Sequence, residues 1–362
     1  MNIFNLQELQ RLVIFLGRRL FQSVFVLFGL SILIFLLSRV LPGDPARTAL
    51  GARAPEETVQ RLREHMRLDE PLIEQYRFWL FNALQGDLGD SLVSRRPVVD
   101  DVRDFLPATM ELVLLSGLIS AVGGITLGTL SARHKDTWVD NIVRVLSYLG
   151  VVIPAFIVAI FLLLLFASNL PINLGFTEFE LDWFPSIGRL SSGVERPPTV
   201  TGMFTIDALL AGQFATFLDA LHHLILPAIA LSLGSMAQEA RITRSTMSDN
   251  LTKDYIAAER ALGIPERTVM GRFLLKPSLI PTVSIFGLDF AANISNAFLV
   301  EIIFNWPGIS RYASRAMLRK DLNAIAAVVL ILGVTFIFAN ILVDLVVGIL
   351  DPRIRLRGAR SD

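Results

Sequence analysis

The sequence predicts an all-helical membrane protein with six spans, and three observations carry that prediction. Of 362 residues, 53% are apolar and only 18% charged, against about 25% charged in soluble domains. Mean hydropathy is +0.56. The apolar residues gather in runs of about 20, the length a helix needs to cross ~30 Å of hydrocarbon. Basic residues, finally, concentrate on alternate connections between those runs.

The elements follow in order. Residues 1–19 make a terminal segment that is amphipathic over 5–17 and suited to lie along a bilayer surface. The first span, 20–41, stands behind Arg18 and Arg19. Its apolar stretch exceeds the roughly 7–15 residues of a signal-peptide core, and Leu41-Pro42-Gly43-Asp44-Pro45 follows in place of a small-x-small cleavage site, so it reads as a retained anchor. The loop 42–107 has helical spacing over 55–84, with Leu62, Met66, Leu72, Tyr76 and Leu80 among its apolar positions. Pro55 suits a helix start, and Pro71 divides the stretch into two short helices.

Five further spans, 108–132, 145–168, 221–240, 278–300 and 324–349, form a core over 108–349, and a tail of 350–362 follows. Pro154 is expected to kink the third span by removing one backbone hydrogen bond. The 169–220 loop is irregular, and Trp306-Pro307-Gly308 reads as an outer turn, either a gate or an interfacial anchor. Glu111, Arg144, Glu239 and Asp344 fall near span ends, where long side chains reach the interface.

Orientation follows from the flanking charges. The N-terminus, the 133–144 loop, the 241–277 segment and the tail together carry 17 Lys and Arg, and the opposite short loops carry 6. That asymmetry places both termini in the cytoplasm, in agreement with an even number of spans.

Several function classes are excluded. Basic and acidic residues balance at 33 each, leaving no bulk attraction for nucleic acid. There is no cysteine, and His65, His134, His222 and His223 form no HExxH pair, so neither a metal site nor a cofactor is expected. Each of the four lysines precedes Asp or Pro, which excludes a Walker A loop on this chain.

The cytoplasmic 241–277 segment is too long for a minimal connection. Residues 252–262 have helical character, with Tyr255, Ala258 and Leu262 on one face. Gly263 sits where a helix stops in the left-handed conformation, and Pro265 with Glu266 suits the next helix start. Ala257, Ala258 and Ala261 make a surface that another protein's backbone can approach closely. An amphipathic hairpin resting on headgroups is equally compatible with this pattern.

The Ala257–Gly263 run AAERALG, ahead of a basic-apolar helix and a proline, resembles the EAA motif of ABC importer permeases. Leu41-Pro42-Gly43-Asp44-Pro45, GDLGDS over 86–91 with Arg96-Pro97-Val98, HLILPAIALSL over 223–233, EIIFNWPGISR over 301–311 and VDLVVGILDPRIR over 343–355 resemble the dipeptide/oligopeptide branch, in the family's order. Two departures stand out: Ala257 replaces the motif's usual Glu, with Glu259 two places later, and span five carries Asp289, Asn293, Ser295 and Asn296 where relatives more often have glycine or aliphatic residues.

The resemblance implies a type I ABC importer permease fold and inward transport of di- or oligopeptides, nickel or another small solute. It also implies a second permease subunit, two ATP-binding subunits and an extracytoplasmic substrate-binding protein. The slightly acidic 42–107 loop, twelve acids against nine bases, is a solvated face or a contact for that binding protein. Tyr255, Ala257, Ala258, Glu259, Ala261, Leu262 and Gly263 are the implied ATPase-coupling residues.

Asp289 lies midway along span five, where a carboxylate is costly and tends to be functional. Asn293 and Asn296 share its helical face at i+4 and i+7. That face lines a translocation path or a seam with the second permease, or else it makes a structural hydrogen-bond network. The rival function is an ion-coupled secondary transporter using Asp289, but such carriers are built from inverted repeats, and none is detected.

Overall fold

The computed structural model describes residues 6–40, 45–51, 53–167, 172–173, 178–179 and 183–350. Leu41–Asp44 of the expected Leu-Pro-Gly-Asp-Pro run, residue 168 of span three and the basic tail 351–362 lie outside the described residues. Fourteen α-helices, one π-helix and one two-residue strand pair, Ile172–Asn173 with Glu178–Phe179, make up the regular structure of the described residues. Among the described residues, five helices are long and apolar enough to cross a membrane, or up to six spans if the bent pair Trp138–Val152 and Ala155–Phe166 counts as one.

The first helix, α1 (Leu6–Val40), runs without a break through Arg18 and Arg19, so the amphipathic start is continuous with the first span instead of a separate surface segment. Pro55 and Pro71 stand immediately before α3 (Glu56–His65) and α4 (Leu72–Leu84), where a missing N–H costs nothing. The expected kink in span three is a sharp break. Its halves, α6 (Trp138–Val152) and α7 (Ala155–Phe166), are bent by 108° at Ile153-Pro154.

The chain divides into two compact units. The smaller comprises Gly17–Ala108 and Pro307–Ile337. In it, Val98 and Val102 at the start of α5 (Val98–Arg133) pack with Ile309, Tyr312 and Ala316 of α13 (Ile309–Arg319) and with Ala324 and Val328 of α14 (Leu322–Leu350). The Phe105 and Tyr312 rings stack at 5.4 Å. Buried Asp321 accepts bonds from Ser91 Oγ at 2.7 Å and the Leu92 N–H at 2.6 Å, so the GDLGDS run is pinned to the turn before α14. Arg96 donates to Asp101 at 2.6 Å and Asp104 at 2.7 Å, which holds the Arg-Pro-Val segment against the start of α5.

The larger unit holds Thr109–Trp306 and, as far as they are described, the flanking stretches Met1–Leu16 and Phe338–Asp362. Its centre is the 38-residue helix α9 (Phe214–Leu251), packed against α6, α7, α8 (Phe204–Leu210) and α12 (Lys276–Ile303). Helix α9 exceeds the expected 221–240 span at both ends. Small residues set its approach to α5. A Cβ on Gly128 would stand 2.5 Å from the Ala240 carbonyl oxygen, and one on Gly124 would stand 2.6 Å from Glu239 Cβ. This is the close backbone contact that Gly-x-x-x-Gly spacing permits in apolar helices.

Candidate functional site: a helical hairpin and a polar cavity

Helix α10 (Asp254–Ala261) ends in a Schellman closure. The Ile264 N–H bonds the Glu259 carbonyl at 3.2 Å and the Gly263 N–H bonds Arg260 at 3.0 Å, while Gly263 sits at φ +75°. Expectation and geometry meet here: only a residue without Cβ takes this conformation without strain. Pro265 is the cap of the next helix, one position ahead of its expected place, with Glu266 in the first turn. Across the bend, the Arg260 guanidinium donates two bonds to Glu266, at 2.7 and 3.1 Å, and this pairing raises the Arg260 pKa.

The hairpin rests on its own apolar core, in which Ile256 meets Ala132 at the end of α5, Met247 of α9, and Val269 and Leu274. Ile256 therefore anchors α10, whereas the sequence pattern points to Tyr255, Ala258 and Leu262 as a face. Those three are exposed, as are Ala257, Ala261 and Gly263, with Glu259 half-buried. Leu262 is 78% exposed, an apolar side chain presented outward. Seven residues of π-helix, Val269–Leu275, join the hairpin to α12. Asn250 and Thr246 of α9 bond Ser278 Oγ and the Ser278 carbonyl, at 2.8 and 3.0 Å, and tie the two helices just beyond that turn.

The second feature is a cavity of about 400 Å³ between the break at Pro154, α9 and α12. Asp289, Asn293 and Asn296 all line it, as their shared helical face predicts. Opposite stand Ser235 and Gln238 of α9, which sequence reasoning missed. Their signal was an amide and a hydroxyl within an otherwise apolar run. Gln238 Nε2 donates to Asp289 Oδ1 and Asn293 Nδ2 donates to Ser235 Oγ, both at 3.3 Å. Asp289 Oδ2 is buried without a hydrogen-bond partner among the described residues. The face thus makes weak interhelical bonds and lines a cavity at once.

Two of the charges expected near span ends, Glu239 and Glu111, are buried inside the unit. Glu239 is fully buried, because α9 continues eleven residues past Ala240, and Ser120 Oγ donates to it at 3.3 Å. Glu111 accepts from Arg189 at 2.5 Å and from the Thr205 N–H and hydroxyl at 2.6 and 2.7 Å. Burial lowers the Arg189 pKa and the Glu111 charge opposes that shift; arginine stays protonated at neutral pH regardless. The Arg189 guanidinium also lies 3.6 Å from the Phe204 ring centroid. Arg144 lines a pocket described below. Trp306 is only 1% exposed, which overturns the interfacial-anchor reading.

Comparison with known proteins adds the following. Residues 124–356 match the family described as binding-protein-dependent transport system inner membrane component, and residues 12–113 match that family's N-terminal component. The chain is 34% identical to a dipeptide transport system permease protein of Alkalihalophilus pseudofirmus, over 93% of this chain and 98% of that one. A di/tripeptide transport system permease protein of Pseudomonas aeruginosa is 35% identical, over 94% and 98%. A glutathione transport system permease protein of Shigella flexneri is 31% identical, again over 94% and 98%.

Proposed function

The chain belongs to the family of binding-protein-dependent transport system inner membrane components, and from that membership we propose that it carries di- or oligopeptides, or a related small solute, into the cell. It is a multi-pass permease subunit of an ABC importer, and ATP hydrolysis sits on separate ATPase subunits. Peptide cargo is supported by the relatives, which are named as permeases for dipeptides, di/tripeptides and glutathione. The assembly we infer contains a second permease of similar fold, two ATPase subunits and an extracytoplasmic binding protein. Both termini face the cytoplasm, on the support of the 17-to-6 bias in basic residues. Membership in this family favours an ATP-driven importer over a stand-alone ion-coupled carrier.

One observation carries the coupling role: an exposed small-residue helix, held at a fixed angle by Gly263 and the Arg260–Glu266 clamp. Tyr255, Ala257, Ala258, Glu259, Ala261 and Leu262 form the surface an ATPase subunit grips. Closure of the ATPases on nucleotide displaces this hairpin, and the π turn passes the displacement to α12. Because nucleotide binds one state of the ATPases better, it shifts a bistable bundle between outward-open and inward-open forms. Asp289, Asn293 and Asn296 line the translocation path, and the break at Pro154 gives the cavity wall a hinge.

Affinity purification of the tagged permease from native membranes tests the partners, with ATPase subunits expected in the eluate. Their absence from intact, folded permease counts against the reading. Asp289→Ala is expected to depress solute uptake while the complex still assembles. Unchanged uptake refutes the path assignment.

A further inference from the structure

A second pocket, of about 180 Å³, opens between α6 and α9, and its walls carry Arg144, Arg241 and Arg244. Two of these guanidinium groups, those of Arg244 and Arg144, face one carboxylate, Asp140, which is fully buried. That carboxylate is already saturated. Arg244 donates to it twice, at 2.6 and 2.7 Å, Ser131 Oγ at 2.5 Å and the Asp136 N–H at 3.1 Å, filling all four of its acceptor sites. Arg144 comes no closer to it than 3.9 Å and donates instead to the neutral Asn141 oxygen. Arg241 is exposed and makes no hydrogen bond or ion pair among the described residues. Asp140 is therefore committed to Arg244, holds Arg144 only in a long pairing at 3.9 Å, and leaves Arg241 at the pocket without an anion.

The pocket lies at the boundary of the bilayer. Arg241 follows directly on the apolar 221–240 stretch of α9, and Trp138 and Tyr148 of α6, 73% and 59% exposed, are the residue types that settle at headgroup level. Immediately beside the arginines, α6 turns an apolar strip outward: Val145, Leu146, Leu149 and Val152 are 56%, 57%, 51% and 76% exposed. Ser147, Tyr148 and Ser245 add hydroxyl donors to the pocket wall.

We propose that this pocket binds the headgroup of an anionic phospholipid, with the phosphate between Arg144 and Arg241 and the acyl chains along the outward face of α6. The volume admits about six waters' worth of ligand, room for a phosphodiester and part of its glycerol. A free phosphate satisfies the arginines equally well but makes no use of the apolar strip; a diacyl lipid uses both. Basic pockets between spans recognise anionic headgroups by this charge pairing. On the orientation proposed above, the lipid belongs to the cytoplasmic leaflet. It braces the cytoplasmic ends of α6 and α9, the latter carrying the hairpin core.

Native mass spectrometry of the assembled transporter, extracted from bilayers of phosphatidylcholine mixed with phosphatidylglycerol, tests the site. We expect the wild type to retain phosphatidylglycerol in preference to phosphatidylcholine, and Arg144→Gln/Arg241→Gln to lose at least about tenfold of that preference. Arg241→Gln alone, at an exposed position outside the Asp140 network, is expected to show a smaller loss and guards against a folding artefact in the double variant. Added inorganic phosphate is expected to leave retention unchanged. Equal retention of the two lipids, identical retention by wild type and variants, or displacement by inorganic phosphate overturns the proposal. The readout does not depend on which leaflet supplies the lipid, so it fails or stands apart from the orientation.

Discussion

At the scale of single residues, a few positions carry disproportionate consequences. Gly263 has φ +75°, and any Cβ there costs about 1–2 kcal/mol of strain or a reoriented bend. Gly263→Val is expected to cut ATP-driven uptake about tenfold while ATPase subunits still co-purify, because open space surrounds this glycine and the surface beside it is untouched. Comparing uptake with ATP hydrolysis in the same vesicles checks this.

The buried pair Glu111–Arg189 is a second such position. Glu111→Ala strands a guanidinium out of water, and a loss of roughly 3–5 kcal/mol is expected, read as a lowered unfolding midpoint in detergent. Replacing both partners, as Glu111→Leu with Arg189→Met, is expected to cost much less.

Asp207 gives a pH signature. Burial opposes its ionisation, but hydrogen bonds from Thr201, Gly202 and Val200 prevail and hold its carboxyl below the ordinary value. A depressed pKa contributes stability above the unfolded value, about 3.9, and that contribution is lost as pH falls through the folded value. The protection factors of the amides at residues 200–202, taken against intrinsic exchange at each pH, are therefore expected to fall below about pH 4 and to be constant above it.

At the scale of elements, the helices were legible because a bilayer demands long apolar runs, and apolar runs are visible in composition. The hairpin was legible because Gly263, Pro265 and Glu266 are local signals. Pro154 indicated a weak point, yet the 108° break depends on what packs around it, above all α9. The anchoring residue of α10 was not legible for a related reason: Ile256 is selected as the buried residue by its packing with Val269 and Met247 of neighbouring elements. Likewise, half of the cavity was readable from the i, i+4, i+7 spacing on α12, while Ser235 and Gln238 join it only through helix pairing.

Glycine spacing in α5 was a further available signal. Gly128→Leu is expected to force α5 off α9, since the Ala240 carbonyl cannot yield as a side chain would. Loss of folded permease from the membrane fraction is the measure.

At the scale of the whole molecule, the two ends of the proposed mechanism lie in the larger unit: the exposed hairpin and the polar cavity. Helices α9 and α12 run between them, joined near the hairpin by Ser278 and near the cavity by Asp289 and Asn293. A displacement applied at residues 254–266 therefore has a continuous bonded route to Asp289 and Asn293, the residues we propose for the translocation path. Proteoliposomes holding the complete importer, loaded with ATP on the ATPase side, examine that route most directly. Accumulation of a dipeptide against its gradient is predicted only when the ATPase subunits, nucleotide and binding protein are all present. Uphill accumulation by this chain without them, driven by a proton or sodium gradient, contradicts the account.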